Sequence, residues 1–375
     1  MFSAPTTEGL SLMQRAVPRI AGRVLSTLRG LCPLAGLAVV AGLLTASAAP
    51  VFAATAAAAS AATAASTSGD EAASVSAGAI PHGITLSGLE SWLPAAAALS
   101  PGAALPADAL ATMKAQIYAA RRYWHANVVR FQIIQDKLVG ANGQVFSAAY
   151  MQDIRTVTGY ALSQGLSVVL NAQTEMRPGF TRDETLPTPA TWSFWRHLMV
   201  FYANNPGVIF DLFNEPRYCS WARWYRAMQG LVDDVRQAGA GNTLWVEGRW
   251  WGSTLAGVPL LRGRGIVYSF HHPGAPWEDQ APVTVATWNR AFGNLASRGI
   301  PVVDGEFTNF AGGYHFNHPR ALVRQYLQYL RAHHIGMTAW TLLPGVLNST
   351  TGYASATTEP AGDGWLVKQW FAGLG

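Results

Sequence analysis

The chain has 375 residues, of which 50% are hydrophobic and 13% charged, and its formal net charge is +5. This composition excludes an intrinsically disordered chain, because disordered chains are poor in apolar residues and rich in charge. The small net charge also gives no indication of a nucleic-acid-binding protein.

Residues 1–53 have the layout of a secretory signal peptide. Several arginines precede an apolar run from Leu34 to Leu44, and Val51-Phe52-Ala53 resembles a cleavage site. We predict cleavage there and secretion into the extracellular or periplasmic space, with no stable membrane association afterwards. An uncleaved anchor is the alternative, because Leu31 to Ala54 is nearly long enough to cross a bilayer.

Residues 54–79 consist almost wholly of Ala, Ser, Thr and Gly, which predicts a flexible spacer. One domain is predicted over residues 80–375. Cys32 lies in the predicted signal, so the secreted part would keep Cys219 alone, without a disulfide. Such a protein must be stabilised by its core, which favours one large domain, and we expect a monomer.

From residue 82 onward, short runs rich in β-branched residues alternate with longer helical patterns. Several of these runs are apolar throughout, as expected for strands covered on both faces. The predicted strands are Gly83–Leu86, Asn127–Gln132, Leu166–Gln173, Gly207–Asn214, Thr243–Glu247, Gly265–His271, Ile300–Glu306 and Gly336–Leu342.

The helical patterns between these strands complete a repeating β/α order. They include Pro106–Tyr123, Ala148–Ser163, Thr191–Ala203, Ala222–Ala238, Val283–Ser297 and Pro319–Ala332. Eight such units in this length predict an α/β fold of the (β/α)₈ TIM-barrel type. A doubly wound open sheet is the main alternative, but no G-x-G-x-x-G follows the first strand.

Polar side chains occur near the carboxyl ends of nearly all the predicted strands. In a (β/α)₈ barrel these ends meet at one mouth, where active sites lie. Those we expect there are Arg130, Asn171, Gln173, Asn214, Glu215, Glu247, His271, His272, Glu306 and Trp340. Asp211 and Asp304 have the same strand parity as Glu215 and Glu306, so we expect them inside the barrel, deeper and structural.

Two glutamates at one mouth suit glycoside hydrolysis. Glu215 and Glu306 end the fourth and seventh strands. A protonated carboxyl can give its proton to the leaving oxygen while an ionised carboxylate attacks the anomeric carbon. Trp rings offer flat apolar faces for sugar rings, and the candidates are Trp250, Trp251, Trp277, Trp288 and Trp340.

Several motifs resemble glycoside hydrolase family 5, the cellulase-type family of (β/α)₈ barrels. Asp211-Leu-Phe-Asn214-Glu215-Pro216 resembles the signature at that family's fourth strand. Matching segments for other strands are Gly83–Glu90, Asn127–Arg130, Tyr268–His271, Pro301–Phe307 and Ala339-Trp340. The likeness therefore runs over nearly the whole chain after residue 82.

The resemblance implies a role for each matched residue. Glu215 would be the acid/base, and Glu306 the nucleophile of a retaining enzyme. Asn214 would bind the 2-hydroxyl of the sugar, and Arg130 would support Glu306. His271 would line the site, and Trp340 would form its floor.

Two positions depart from the family pattern. Gln173 stands where the family commonly has a His, and we place it among the substrate-binding residues. Pro273 stands where the family commonly has a Tyr that contacts the nucleophile, and Tyr314 is a candidate replacement. Glu175 and Glu247 could line substrate subsites.

The sequence thus predicts a secreted endo-β-1,4-glucanase acting on a polysaccharide or oligosaccharide, with no cofactor and no metal. A β-mannanase or another β-glycosidase, including one active on glycolipids, is the first alternative. A non-hydrolytic sugar-binding barrel is the second, suggested by the two departures.

Overall fold

Eight parallel strands form a closed barrel, in which the first strand pairs with the last. In the computed structural model the strands are β1 (His82–Leu86), β2 (Val128–Ile134), β3 (Ser167–Gln173), β4 (Val208–Asp211), β5 (Leu244–Glu247), β6 (Ile266–His271), β7 (Val302–Phe307) and β8 (Gly336–Trp340). All eight predicted strands are confirmed. Closure of the sheet also confirms the (β/α)₈ barrel and excludes the open doubly wound alternative.

The structure describes most of the chain after residue 78. The ranges are 79–89, 105–140, 142–174, 185–271, 283–308, 319–342, 347–348, 352–358 and 362–374. The predicted signal and all but the last residue of the predicted spacer lie outside them. So do Glu175, His272, Pro273, Trp277 and Tyr314. Within the described ranges, no helix has the length and apolarity needed to span a membrane.

Helices lie between most of the strands, as the sequence predicts. They are α1 (Ala107–Arg122), α2 (Gln135–Val139), α3 (Ala148–Ser163), α4 (Pro189–Tyr202), α5 (Trp221–Gln237), α6 (Val285–Trp288), α7 (Asn294–Ala296), α8 (Arg320–Ala332) and α9 (Gly364–Ala372). The predicted helix Val283–Ser297 is divided by a π-helical segment, Asn289–Gly293, between α6 and α7. The short helices α2 and α9 were not predicted.

The π-helical segment meets α8 at Gly293. A Cβ atom on Gly293 would lie 1.8 Å from the Tyr329 hydroxyl, so only glycine permits this approach. The Tyr329 hydroxyl donates a hydrogen bond to Asn289 Oδ1 at 2.6 Å. A side chain from α8 therefore seats against the helix where it departs from α-helical geometry.

The barrel interior has an apolar layer at its base. It consists of Val128, Val169, Ile209, Trp245 and Val303, with Val267 packed against it. Side chains on one face of a strand recur every second residue, so the next inward position lies two residues farther along. Those positions hold mainly polar residues: Arg130, Asn171, Asp211, Glu247 and Ser269. The chemistry of the barrel thus begins one layer above the apolar base.

A β-bulge in β7 changes the direction of its side chains. Phe270 pairs with Asp304 and His271 pairs with Glu306, so β7 carries one extra residue, Gly305. Val303 points inward, whereas Asp304 accepts a hydrogen bond from the hydroxyl of Tyr326 on the outer helix α8 at 2.7 Å. The expectation that Asp304 points into the barrel is therefore wrong, because the bulge breaks the parity between positions 304 and 306.

Candidate active site

Glu215 is carried to the barrel mouth by an extension of β4. Beyond Asp211, the Leu212 N–H donates to Trp245 O at 3.0 Å and the Asn214 N–H to Ala172 O at 2.9 Å. Glu215 follows with a φ of 48°, in the left-handed region that residues other than glycine rarely adopt. The chain therefore turns sharply at Glu215, and this residue is 7% exposed.

Glu306 enters the same mouth from β7, just after the bulge. Its Oε1 atom accepts hydrogen bonds from Arg130 Nη1 and from Gln132 Nε2, the latter at 2.7 Å. Both donors come from β2, two residues apart on its inward face. Glu306 is 5% exposed, so its carboxylate is held by charge and hydrogen bonds at the edge of solvent.

Arg130 is the centre of the polar layer and is fully buried. Besides Glu306 it contacts Asp211 Oδ2 through Nε at 2.8 Å, and through Nη2 it contacts Asn214 Oδ1 at 2.8 Å and Glu247 Oε1 at 3.1 Å. Burial alone would lower the pKa of Arg130, but the charges of Glu306, Asp211 and Glu247 raise it. The prediction that Asp211 lies deep in the barrel and is hydrogen-bonded to a neighbour is confirmed.

His271 lies between three carboxylates. Its Nδ1 atom is 3.0 Å from Glu215 Oε1 and 3.7 Å from Glu306 Oε2. Its Nε2 atom is 3.3 Å from Glu247 Oε1, in an ion pair rather than a straight hydrogen bond. Burial alone would lower the pKa of His271, but the charges of Glu247 and Glu306, with the contacts to Glu215 and Glu247, raise it well above its ordinary value.

Asp211 and Glu247, which both contact Arg130, have pKa values shifted in opposite directions. Burial and the charge of Glu247 raise the pKa of Asp211 to about 8. Burial would also raise the pKa of Glu247, yet His271, Arg130 and the Glu215 N–H outweigh it and lower that pKa.

Two glycines confine the His271 ring. A Cβ atom on Gly305 would lie 2.3 Å from Ser269 Oγ and 2.9 Å from His271 Nε2, and one on Gly252 would lie 3.0 Å from His271 Cγ. The His271 N–H also donates to Gly252 O at 2.8 Å. The ring has little room to move, which fixes its distance from Glu215.

Gly305→Ala should therefore both destabilise the protein and disturb the site. Because the added methyl overlaps two buried side chains, we expect a loss of about 1–3 kcal/mol in the free energy of unfolding. Denaturant unfolding measures this loss, and any chemistry that depends on the site should weaken as His271 is displaced.

Gly159→Ala is the matched control for that substitution. Gly159 lies in α3, and a Cβ atom there would have no neighbour within 4 Å. Alanine is the better helix former by about 1 kcal/mol, so this variant should be as stable as the parent or more so. Equal stability of Gly305→Ala and the parent would contradict the packing described here.

The other predicted binding residues lie at the same mouth. Gln173 ends β3 and is fully buried, and neither of its side-chain polar atoms has a hydrogen-bond partner within the described ranges. Trp340 ends β8 and is half-buried. Asn214 is 1% exposed, and the Arg130 contact fixes the orientation of its amide. The structure thus brings all seven predicted site residues to one end of the barrel.

Three aromatic side chains form a cluster next to Glu215. Tyr218 packs edge-on against Trp250 and Trp251, with ring centroids 5.2 Å and 4.7 Å apart. The backbone N–H of Trp251 donates to the carbonyl of Pro216, the residue after Glu215, at 3.1 Å. Trp250 and Trp251 are partly exposed, and Tyr218 is 63% exposed. We call Tyr218, Trp250 and Trp251 the aromatic shelf.

Trp288 does not belong to the mouth. It is 1% exposed and packs against Tyr326 and Tyr329 of α8, so the expectation that it could stack on a sugar is wrong. The indole lies on α6, and its face is used for packing against the neighbouring helix.

Glu247 is more central than the sequence suggested. It is fully buried, so it cannot line a substrate subsite. Its Oε2 atom accepts from the Glu215 N–H at 2.6 Å, and Oε1 lies 3.4 Å from Asn171 Nδ2. Gln132, which binds Glu306, was not predicted at all. Strand parity could have placed both Glu247 and Gln132 inside the barrel, because each stands two residues beyond an inward-facing position.

Glu215, His271 and Glu306 could in principle offer three ligands to a metal, since one donor atom from each lies within 4.8 Å of the others. However, Glu215 faces His271 at hydrogen-bonding distance, and Glu306 is already bound by Arg130 and Gln132. A protonated His271 would also repel a cation. These contacts account for the grouping without a metal.

The chain is similar in sequence to known proteins. A sequence model of the family described as cellulase (glycosyl hydrolase family 5) matches residues 103–345. The manganese-dependent endoglucanase Eg5A of Phanerodontia chrysosporium is 30% identical over 128 residues, which are 34% of this chain and 33% of that protein. The chain thus spans about a third of the length of the curated relatives it matches.

Solved structures share the barrel. XacCel5A in complex with cellopentaose has a TM-score of 0.59 at 18% identity, covering 78% of this chain and 99% of that one. The β-glucanase SdGluc5_26A from Saccharophagus degradans, in complex with cellotetraose, has a TM-score of 0.57 at 19% identity, covering 69% and 82%. At these identities the likeness shows the fold.

Proposed function

Because this chain belongs to glycosyl hydrolase family 5, the cellulase family, we propose that it is a secreted endo-β-1,4-glucanase that retains the anomeric configuration. The observation that carries the mechanism is the pairing of Glu215 and Glu306. One carboxylate oxygen of each lies within 4.8 Å of the other. Retaining glycosidases hold their carboxyl groups about 5–5.5 Å apart and inverting ones about 6.5–9.5 Å, so this distance favours retention.

The surroundings of the two carboxylates favour different roles. Arg130 and Gln132 hold Glu306 Oε1, which directs Oε2 toward the reacting carbon as the nucleophile. Glu215 lies next to His271, and it follows Asn214 at the position that the family resemblance gives to the acid/base. Pairs of carboxyl groups in unlike environments are how glycosidases divide these roles.

The reaction then runs in two displacements. Glu215 gives its proton to the glycosidic oxygen as the bond from that oxygen to the anomeric carbon breaks, and Glu306 Oε2 bonds to that carbon. In the second step Glu215 takes a proton from water, the water oxygen bonds to the anomeric carbon, and Glu306 leaves. Each step inverts the carbon, so the β configuration is restored.

Contacts at the mouth support a glucan chain as substrate. Relatives in the family are named endoglucanases, and structural neighbours carry cellopentaose and cellotetraose. Here the aromatic shelf beside Glu215 and the half-buried Trp340 offer flat faces for sugar rings. Secretion is supported by the signal-like sequence of residues 1–53.

Internal cleavage can be tested with viscosity. On carboxymethylcellulose or mixed-linkage glucan, viscosity should fall rapidly relative to the reducing ends released. Trp340→Ala should reduce this activity by about tenfold or more, since stacked aromatic rings supply much of the binding surface in such clefts. Its melting temperature should change little, because Trp340 is only half-buried.

Trp365→Ala is the control for the loss of an indole. Trp365 is also half-buried, but it lies on α9, where Arg320 and Arg324 cover its ring. Its removal should leave polymer hydrolysis unchanged. Hydrolysis of mannan, of a short aryl glycoside or of a glycolipid alone would instead favour another β-glycosidase, and binding without hydrolysis would favour the non-hydrolytic barrel.

A further inference from the structure

Glu247 is buried directly beneath the two proposed catalytic glutamates. It ends β5, has no exposed surface, and lies one layer above Trp245 of the apolar base. A substrate in the mouth cannot touch it. Any effect of Glu247 on the reaction must therefore pass through the residues that it contacts.

One oxygen of Glu247 holds the backbone of the proposed acid. Oε2 accepts from the Glu215 N–H at 2.6 Å, a charge-assisted hydrogen bond. Glu215 adopts a φ of 48°, a conformation that persists in a non-glycine residue only where its surroundings enforce it. Glu247 supplies a contact that enforces it.

The other oxygen of Glu247 faces His271. Oε1 lies 3.3 Å from Nε2, while Nδ1 on the far side of the ring is 3.0 Å from Glu215 Oε1. A neutral imidazole has one N–H and one lone pair, whereas an imidazolium has an N–H on each nitrogen. A ring with carboxylate oxygens beside both nitrogens therefore fits the charged form.

The remaining charges around His271 do not reverse this balance. Glu306 on β7 adds a third carboxylate, 3.7 Å from Nδ1. Arg130 on β2 is positive, but Glu306, Glu247 and Asp211 all bind it. The upward shift in the pKa of His271 described above has the same origin, with Glu247 as the largest favourable contribution.

We propose that Glu247 is a positioning residue that fixes the backbone of Glu215 and keeps His271 an imidazolium, whose Nδ1–H faces the Glu215 carboxyl group. The proposal rests on the proposed role of Glu215 as the acid/base. When Glu215 gives up its proton, negative charge develops next to this fixed positive charge. Because the stabilisation acts on the reacting state, Glu247 should affect kcat rather than KM.

Glu247→Gln tests the proposal with two independent measurements. In the parent, nitrogen NMR of the ring should show His271 protonated on both nitrogens at neutral pH and above, with its resonances identified by their loss in His271→Gln. In Glu247→Gln the ring should be neutral at pH 7. On carboxymethylcellulose, kcat should fall about tenfold or more, the factor of one pKa unit, with KM nearly unchanged.

Two further variants separate charge from packing. Glu247→Asp keeps the charge and should restore the imidazolium signal, at least in part. Asp211→Asn replaces another buried acid that is bound to Arg130 but has no direct contact to the His271 ring among the described contacts, so His271 should stay charged. A signal lost equally in Glu247→Gln and Asp211→Asn would mean general damage to the polar layer and would overturn the proposal.

The titration of His271 can also overturn the proposal that Glu247 keeps this ring charged. If His271 titrates at its ordinary pH in the parent, or stays an imidazolium in Glu247→Gln, Glu247 does not control its charge. Failure of the proposed function has a different signature: the parent would cleave no β-glucan, while the NMR of His271 would still show whether Glu247 sets its protonation.

Discussion

Replacing Glu306 with glutamine should nearly abolish hydrolysis while leaving substrate binding intact. Glutamine has the shape of glutamate, and its amide oxygen can still accept from Arg130 and Gln132. It lacks the charge needed to form the covalent glycosyl intermediate. We expect kcat to fall on the order of 10⁴-fold or more, as when other hydrolases lose their nucleophile.

Reducing-end release and calorimetric binding of cellopentaose would measure the two effects separately. Asp304→Asn is the matched control, because Asp304 is a buried carboxylate on the same strand that binds Tyr326 outside the barrel. Asparagine can still accept that hydrogen bond, so turnover should stay within about tenfold of the parent. A Glu306→Gln variant that keeps comparable turnover would show that Glu306 is not the nucleophile.

Replacing Glu215 with alanine should slow the enzyme in a way that depends on the leaving group. Loss of a general acid typically costs about 10²–10⁴-fold, and the cost should be greatest for glucan, whose departing sugar needs a proton. Activated aryl glycosides leave without one, so their first displacement should persist. Azide, a small anion, should then partly restore turnover by attacking the glycosyl intermediate.

The configuration of the azide product identifies the roles. Rescue of Glu215→Ala should give the β-glycosyl azide, which proton NMR distinguishes from the α form. Azide rescue of a Glu306 variant with inversion would mean that the two glutamates have exchanged roles. Glu215→Gly checks the backbone, because glycine adopts the φ of 48° at position 215 more easily than alanine.

Strand parity explains both what the sequence could predict and where it failed. The strands are short and mainly apolar at their beginnings. Arg130, Asn171, Asp211 and Glu247 follow the inward-facing residues of the base by two positions. From that spacing the barrel and most of the residues at its mouth can be predicted. The same rule placed Asp304 inside, because an inserted residue leaves no mark in the apolar pattern.

How deeply a side chain is buried was also hard to predict from the sequence. Glu247 and Glu215 both stand at strand ends, yet Glu247 lies beneath the site because β5 stops at it, whereas the chain after β4 extends farther before Glu215. Trp288 looked like a ligand-facing indole, but only tertiary packing on α8 decides which face of a short helix is covered. Contacts between elements distant in sequence determine both outcomes.

The bulge at Gly305 divides β7 into a lower part in the barrel base and an upper part at the mouth. Below the bulge, Val303 packs in the apolar base. Above it, Glu306 faces the mouth, and the register shift makes its orientation independent of Val303. Thr338 on β8 holds the extra residue by donating its hydroxyl proton to the Gly305 carbonyl. Substitutions in the lower half of β7 should therefore leave the orientation of Glu306 unchanged. The sequence of the apolar base can then vary independently of the sequence at the mouth.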